Sequence, residues 1–246
     1  MKMAESAQSQ VSDQDIQPVQ TLSPEQTALF REMIAAGVAA GRKKSKANPK
    51  MDEYVFTYAR SVAVIDVEQT AALIDTAAAF MKSLMTEKRP ILVLGSQPTA
   101  RDFVQAFAEK HGLLSITTRW LGGTFTNFKT ISQRIEYFKK LKADRASGAL
   151  DKYTKKERVD FDRLIKNLDS SFSGVEDMTS LPAALFVVDP GAHDIAVREA
   201  RRMKVPIVAI MSNDADPRGI AYPIPANDNA RSSLSWIFAR LESRLS

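Results

Sequence analysis

Ala184-Leu185-Phe186-Val187-Val188-Asp189 sets an unbroken apolar run against a closing aspartate. A strand with one wet face alternates apolar and polar residues, whereas a run that is apolar throughout is covered on both faces, as in a parallel sheet. Two similar runs flank it, Ile91-Leu92-Val93-Leu94-Gly95 upstream and Pro206-Ile207-Val208-Ala209-Ile210-Met211 downstream. Helical patterns fall between and beyond them, from about Gln69 to Met85, Pro98 to His111, His193 to Met203 and Asn227 to Leu245. Short strand patterns appear at Leu114 to Thr117 and Ala221 to Ile224, and β-rich runs at Tyr54 to Tyr58 and Val62 to Val67. This alternation predicts an α/β fold, a Rossmann-like parallel sheet flanked by helices.

The segment between the two halves has a different period. From Phe128 the apolar positions are Ile131, Ile135, Phe138 and Leu141, ending at Ser147-Gly148. Thr154-x-x-Glu157 then has the form of a capping box, and a second stripe follows at Phe161, Leu164, Ile165, Leu168 and Phe172, stopped by Gly174. Two stripes facing across a short loop predict a protruding antiparallel helical (coiled-coil) hairpin over residues 128–173 that closes its own apolar seam. At 1.5 Å per residue, helices of about 19 residues reach roughly 28 Å. The α/β domain is then residues 23–127 together with 174–246. Its first helix is announced by Ser23-Pro24-Glu25-Gln26, a cap, a proline at the first helical position and a Gln three residues on, with Leu29, Phe30, Met33 and Ile34 forming one face and Gly37 the stop. Residues 1–22, rich in Gln, Ser and Asp, read as a disordered tail.

Composition excludes several classes. At 246 residues, 44% hydrophobic and 26% charged, the chain has the profile of a soluble globular protein, and it lacks any apolar run near the roughly 18 residues of a membrane span. It has no cysteine, so no disulfide or thiolate metal site, and the start MKMAESAQSQ lacks the apolar core of a signal peptide, which together predict a cytoplasmic location. The net charge of +5 divides into −3 over residues 1–36 and +8 over the remainder, so the folded part is the basic part. A basic fold with a pI near 9.3 favours a polyanionic partner.

The residues offer little for catalysis. Gly95-Ser96-Gln97-Pro98-Thr99-Ala100 follows a strand but has one glycine where a dinucleotide loop has three, and no P-loop lysine; Ser96 reads more simply as a helix cap. Asp189 and Asp216 fall beyond the carboxyl ends of strands, where α/β enzymes hold ligands, yet the two histidines have structural readings: His111 in the last turn before Gly112, and His193 at a helix start. No G-x-S-x-G or H-E-x-x-H motif is present. No catalytic residue, metal, cofactor or small-molecule substrate is expected. A Rossmann-like small-molecule or nucleotide-binding enzyme stands as the alternative, on fold analogy alone. Arg42-Lys43-Lys44-Ser45-Lys46-Ala47-Asn48-Pro49-Lys50 has five cations in nine residues and no acid. Two readings fit it equally, phosphate contacts or a solvated loop, and mutual repulsion predicts that it stays extended until a polyanion arrives.

Arg119-Trp120-Leu121-Gly122-Gly123-Thr124-Phe125-Thr126-Asn127-Phe128-Lys129-Thr130-Ile131 closely resembles the signature of the universal small-subunit ribosomal protein family S2 (uS2), bacterial type. The resemblance continues in register through Gly37-Val38, Gly41, Asn48-Pro49-Lys50-Met51, Ile65-Asp66, Leu181 to Pro190, Ile195 to Ala200, Pro206 to Ile210 and Pro223 to Asp228. It implies an α/β domain with a helical hairpin and a structural role in the ribosome. The implied partners are small-subunit rRNA and neighbouring ribosomal proteins, among them the large OB-repeat protein that gathers mRNA, with no membrane. In that role Gly122-Gly123 would allow close backbone approach, and Arg119, Asn127 and Lys129 would meet RNA together with Arg42, Lys43, Lys44, Lys46 and Lys50. Trp120 has two readings, stacking on a base and anchoring the core. The chain departs from the family where its first motif often has two histidines, a phenylalanine and a tryptophan; here stand Ala39, Arg42, Ala40 and Ala47, which removes candidate metal ligands and stacking groups. Gly95-Ser96-Gln97-Pro98-Thr99 likewise replaces the frequent Gly-Thr-Lys-Arg-Gln.

Overall fold

A computed structural model describes residues 23–245, so the expected tail lies outside the described residues. The chain opens with α1 (Pro24–Ala35), whose first turn is closed as its sequence requires: Gln26 N–H donates to Ser23 Oγ at 3.2 Å and Ser23 N–H to Gln26 Oε1 at 2.9 Å. Three strands follow, β1 (Ala40–Lys43), β2 (Val55–Ala59) and β3 (Val62–Ile65), and form a small antiparallel sheet in the order β1-β3-β2. The basic segment, expected as an open loop, is thus a strand followed by two 3-10 turns, Lys44–Lys46 and Pro49–Tyr54. Hydrogen bonds, one across to the β2–β3 turn and one local, supply what charge repulsion opposes: Lys44 N–H donates to Ser61 O at 2.8 Å, and Lys50 N–H to the capping Asn48 Oδ1 at 3.1 Å.

The second sheet is parallel, as the apolar runs predict. After α2 (Val67–Thr86) come β4 (Ile91–Leu94), α3 (Arg101–His111), β5 (Leu114–Ile116), the helices α4 (Phe128–Ala146) and α5 (Lys155–Phe172), then β6 (Ala184–Val188), α6 (Asp194–Arg202), β7 (Ile207–Met211), β8 (Tyr222–Pro225) and α7 (Arg231–Leu245). The order is β5-β4-β6-β7-β8, with Leu92 opposite Leu114 on one side and Leu185 on the other. Ser96 caps no helix: α3 begins at Arg101, after a turn in which Arg101 N–H donates to Gln97 O at 2.9 Å.

Each central strand serves two cores, which is why it is apolar at every position. Ile91, Val93, Phe186, Val188, Val208 and Ile210 face α2, α3 and α7 through residues such as Ile74, Met81, Phe107, Ile237 and Phe238. Leu92, Leu94, Leu185, Val187, Ile207 and Ala209 face the other way, onto Ala196 and Ala200 of α6 and onto Ile131, Ile135, Phe138 and Phe172 of the two long helices. A fully buried side chain of this kind contributes about 1.5–3 kcal/mol. The base of the helix pair is therefore part of the second core, whereas its periodicity alone reads as a seam closed on itself. Toward the tip, Arg145 Nε and Asp162 Oδ1 pair across α4 and α5 at 2.7 Å. Among the described residues no helix is long and apolar enough to cross a membrane.

Candidate nucleic-acid interface

The order of strand addition reverses at β4, with β5 added on one side and β6 on the other, and the segments singled out by sequence gather along the carboxyl ends of the strands, the edge on which such sheets place their ligands. The Arg119 to Ile131 stretch follows β5, and the basic segment is fastened to the residues after β7, where Asn48 N–H donates to Asn213 O at 2.8 Å. Three strand spacings, about 14 Å, separate those two strands.

Residues 117–127 are held from several sides. Arg101 Nε donates to Thr117 O at 3.0 Å and Thr118 Oγ1 to Ser170 O at 2.7 Å. Trp120 is 7% exposed and meets Phe125 edge-on at a centroid distance of 5.0 Å, so its ring is a core anchor. Its indole Nε1–H donates to the Glu199 carboxylate at 3.2 Å. The same carboxylate accepts from Gly123 N–H at 2.8 Å, Phe125 N–H at 3.0 Å, and the N–H and hydroxyl of Thr126, both at 3.2 Å. Glu199 is 8% exposed. Burial by itself would push its carboxyl up, but the bonds from Gly123, Phe125, Thr126 and Trp120 together outweigh it and hold the group below the usual carboxylate range. Arg119, Asn127 and Lys129, which flank this knot, are exposed. Among the described residues neither Arg119 nor Lys129 has an ion-pair partner, while Asn127 Oδ1 accepts from Thr130 Oγ1 at 2.9 Å.

On the basic segment, Lys43, Lys44, Lys46 and Lys50 are exposed. Lys44 Nζ lies 5.0 Å from the centre of the Tyr58 ring, and Lys50 Nζ is 3.9 Å from Asp216 Oδ2. Arg42 turns inward instead. Its guanidinium lies 2.8 Å from Asp214 Oδ2, 3.1 Å from Asp228 Oδ1 and 3.8 Å from Asp189 Oδ2, and its N–H donates to Asn213 Oδ1 at 2.6 Å. Gly41 permits this approach, since a Cβ there would stand 2.8 Å from Asn213 Oδ1 and 2.9 Å from the Ala63 Cβ.

Sequence reasoning did not single out Glu199, Asn213 or Asp228. A signal for Glu199 was available: it lies three residues after Ala196 and one before Ala200, on the helix face that those two alanines bury, and an acid on a buried face requires donors.

The groups with catalytic potential are engaged with the protein itself. Asp189 adopts φ +58° at the end of β6, a conformation aspartate tolerates, and accepts from Ala192 N–H at 3.0 Å and from the Gln97 side chain. Asp216 is bound by Arg218, whose side-chain hydrogen bonds pull its carboxyl down to about 2. His193 Nε2 accepts from Ser96 N–H at 3.3 Å, and burial holds the imidazole below its ordinary pKa, so it is neutral near pH 7. Among the described residues no group of three or more His, Cys, Asp or Glu is arranged to hold a metal ion.

Fold and site together define a class, an α/β protein of Rossmann-like order with exposed lysines and arginines near the carboxyl edge of its sheet. The model of the family described as Ribosomal protein S2 matches residues 33–245, and the chain belongs to that family. Membership makes it a structural protein of the small ribosomal subunit, part of the ribonucleoprotein that carries out translation, in a family whose role is not enzymatic.

Proposed function

We propose that the chain binds small-subunit rRNA through the exposed cations along the carboxyl edge of the sheet, Lys43, Lys44, Lys46 and Lys50 on one side and Arg119 and Lys129, with Asn127, on the other. The observation that carries this reading is the family match over residues 33–245, and the exposure of these side chains supports it. Arg42 and Trp120 serve the same surface from beneath, Arg42 by tying β1 to the residues after β7 and Trp120 by seating the loop that bears Arg119. Phosphate contacts of this kind position the protein without reading bases. By the family resemblance, the bound protein also helps dock the large OB-repeat protein that gathers mRNA, in the cytoplasm.

Sedimentation of a lysate on a sucrose gradient tests the reading: the chain is expected in the small-subunit fractions, and a chain that stays at the top of the gradient overturns it. In the same gradient, subunits depleted of this chain are expected to carry less of the OB-repeat protein, and an unchanged level removes the docking role.

A further inference from the structure

We propose that residues 120–126 form an anion-binding nest whose anion the chain supplies itself, and that Glu199 is the positioning residue that fixes how Arg119, Asn127 and Lys129 are presented; the second half of this inference rests on the rRNA-binding reading above. Five donors within seven residues converge on one carboxylate: Trp120 Nε1–H and Gly123 N–H on Oε1, Phe125 N–H, Thr126 N–H and Thr126 Oγ1–H on Oε2. Successive backbone N–H groups turned toward one point make a concavity that takes an anion. Gly123 makes the turn possible at φ +92°, where a side chain would be strained. Without Glu199, donors on residues as buried as Phe125 would lose their partner, at the full cost of desolvation.

The geometry separates two ways in which the signature loop could meet RNA. Its inward N–H groups are spent on Glu199, so they are not offered to phosphate. The side chains at either end of the nest are offered: Arg119 immediately before Trp120, Asn127 immediately after Thr126, and Lys129 two residues on, all exposed. Glu199 sits on α6, packed against the sheet through Ala196 and Ala200, so the carboxylate also fixes the loop relative to the rigid part of the domain.

Glu199→Ala tests both halves, because it leaves the donors in place around a carboxylate-sized space. Formate is expected to raise the variant's unfolding temperature in a saturable way that chloride at equal ionic strength does not match, and to leave the wild type unmoved. The variant's affinity for small-subunit rRNA is expected to fall about tenfold, the factor that accompanies about 1.4 kcal/mol, and to recover with formate. The loss should act through the flanking cations: in an Arg119→Ala, Lys129→Ala background, Glu199→Ala should cost little more. Equal responses to formate and chloride overturn the nest. Wild-type affinity in a folded variant, or a full additional loss in the Arg119→Ala, Lys129→Ala background, overturns the positioning role. Should Glu199→Ala fail to fold, Glu199→Gln keeps the volume and one acceptor oxygen. It is expected to fold, bind rRNA more weakly and shift the Trp120 indole N–H resonance; an unshifted resonance with undiminished binding counts against the proposal. A wild-type chain that does not bind small-subunit rRNA overturns the functional reading instead, and the formate response still decides the nest.

Discussion

Asp228 is 1% exposed, and burial, with Asp189 and Asp214 adding to it, pushes its carboxyl up to about 7 against the opposing pull of Arg42. Unfolded, the same group titrates near 3.9. Between roughly pH 4 and pH 7 the folded chain therefore holds a proton there that the unfolded chain has released, so this group's contribution to stability declines as pH rises through that window and is level above it. Asp228→Asn should flatten this part of a urea-denaturation series taken against pH; an unchanged slope would show that the charge is carried elsewhere in the cluster. Glu199 has the opposite sign. Its folded pKa is depressed, so its contribution is complete above about pH 4.3 and is lost as pH falls through the lower folded value. Glu199→Gln should therefore remove part of the acid sensitivity below pH 4, in a range where Asp228 contributes no slope. Gly41 makes a third residue-scale test. A methyl group at Gly41 would push β1 away from Asn213, and Gly41→Ala is expected to lower stability by about 1–3 kcal/mol in denaturant titrations.

At the scale of elements, the 3-10 turn Ser173–Val175 covers the outer edge of β5, and a Cβ on Gly174 would lie 2.2 Å from Ser115 O, an atom of the backbone that cannot move aside. Gly174→Ala should unseat this cover, cost more than about 2 kcal/mol, and leave an open strand edge that shows as concentration-dependent aggregation in light scattering. The helix pair gives a second test. Replacing residues 144–162 by a short linker should preserve the cooperative unfolding transition, whereas replacing 132–172 should abolish it, because that span removes Ile135, Phe138 and Phe172 from the second core. The sequence made much of this legible. Both capping boxes, the apolar parallel strands and the two long helices are written in local patterns that tertiary contacts only reinforce. β1 was not legible: Ala40-Gly41-Arg42-Lys43 has no alternation and no apolar residue beyond Ala40, and becomes a strand only because β3 pairs with it. The hairpin between β2 and β3 was equally hidden, since its turn uses Arg60 and Ser61 at φ +48° and +65° in place of the usual glycine or asparagine. At the candidate site, exposure of the four lysines was legible from composition. The inward turn of Arg42 was not, because its carboxylate partners lie at positions 189, 214 and 228, far along the chain.

For the whole molecule, the proposed binding of rRNA by a chain carrying +8 outside its first 36 residues should depend steeply on salt. Each phosphate left without its cation lowers the slope of log affinity against log salt by about 0.7–0.9. Changing Lys43, Lys44, Lys46 and Lys50 together to alanine should reduce that slope by about 3 and release the chain from washed subunits at lower salt. The unfolding midpoint should scarcely move, because all four side chains are exposed. An unchanged slope would mark these lysines as merely hydrated. The strand order also sets a timetable for the chain during its synthesis. β4 pairs with β5 soon after both emerge, but its other neighbour is β6, which leaves the ribosome only after residues 95–183 have been added. At 5–20 residues per second, that interval is on the order of 10 s. Throughout it, one edge of Ile91–Leu94 and both faces that β6 will complete stay open, so the nascent chain is most prone to wrong pairing just before Ala184–Val188 arrives.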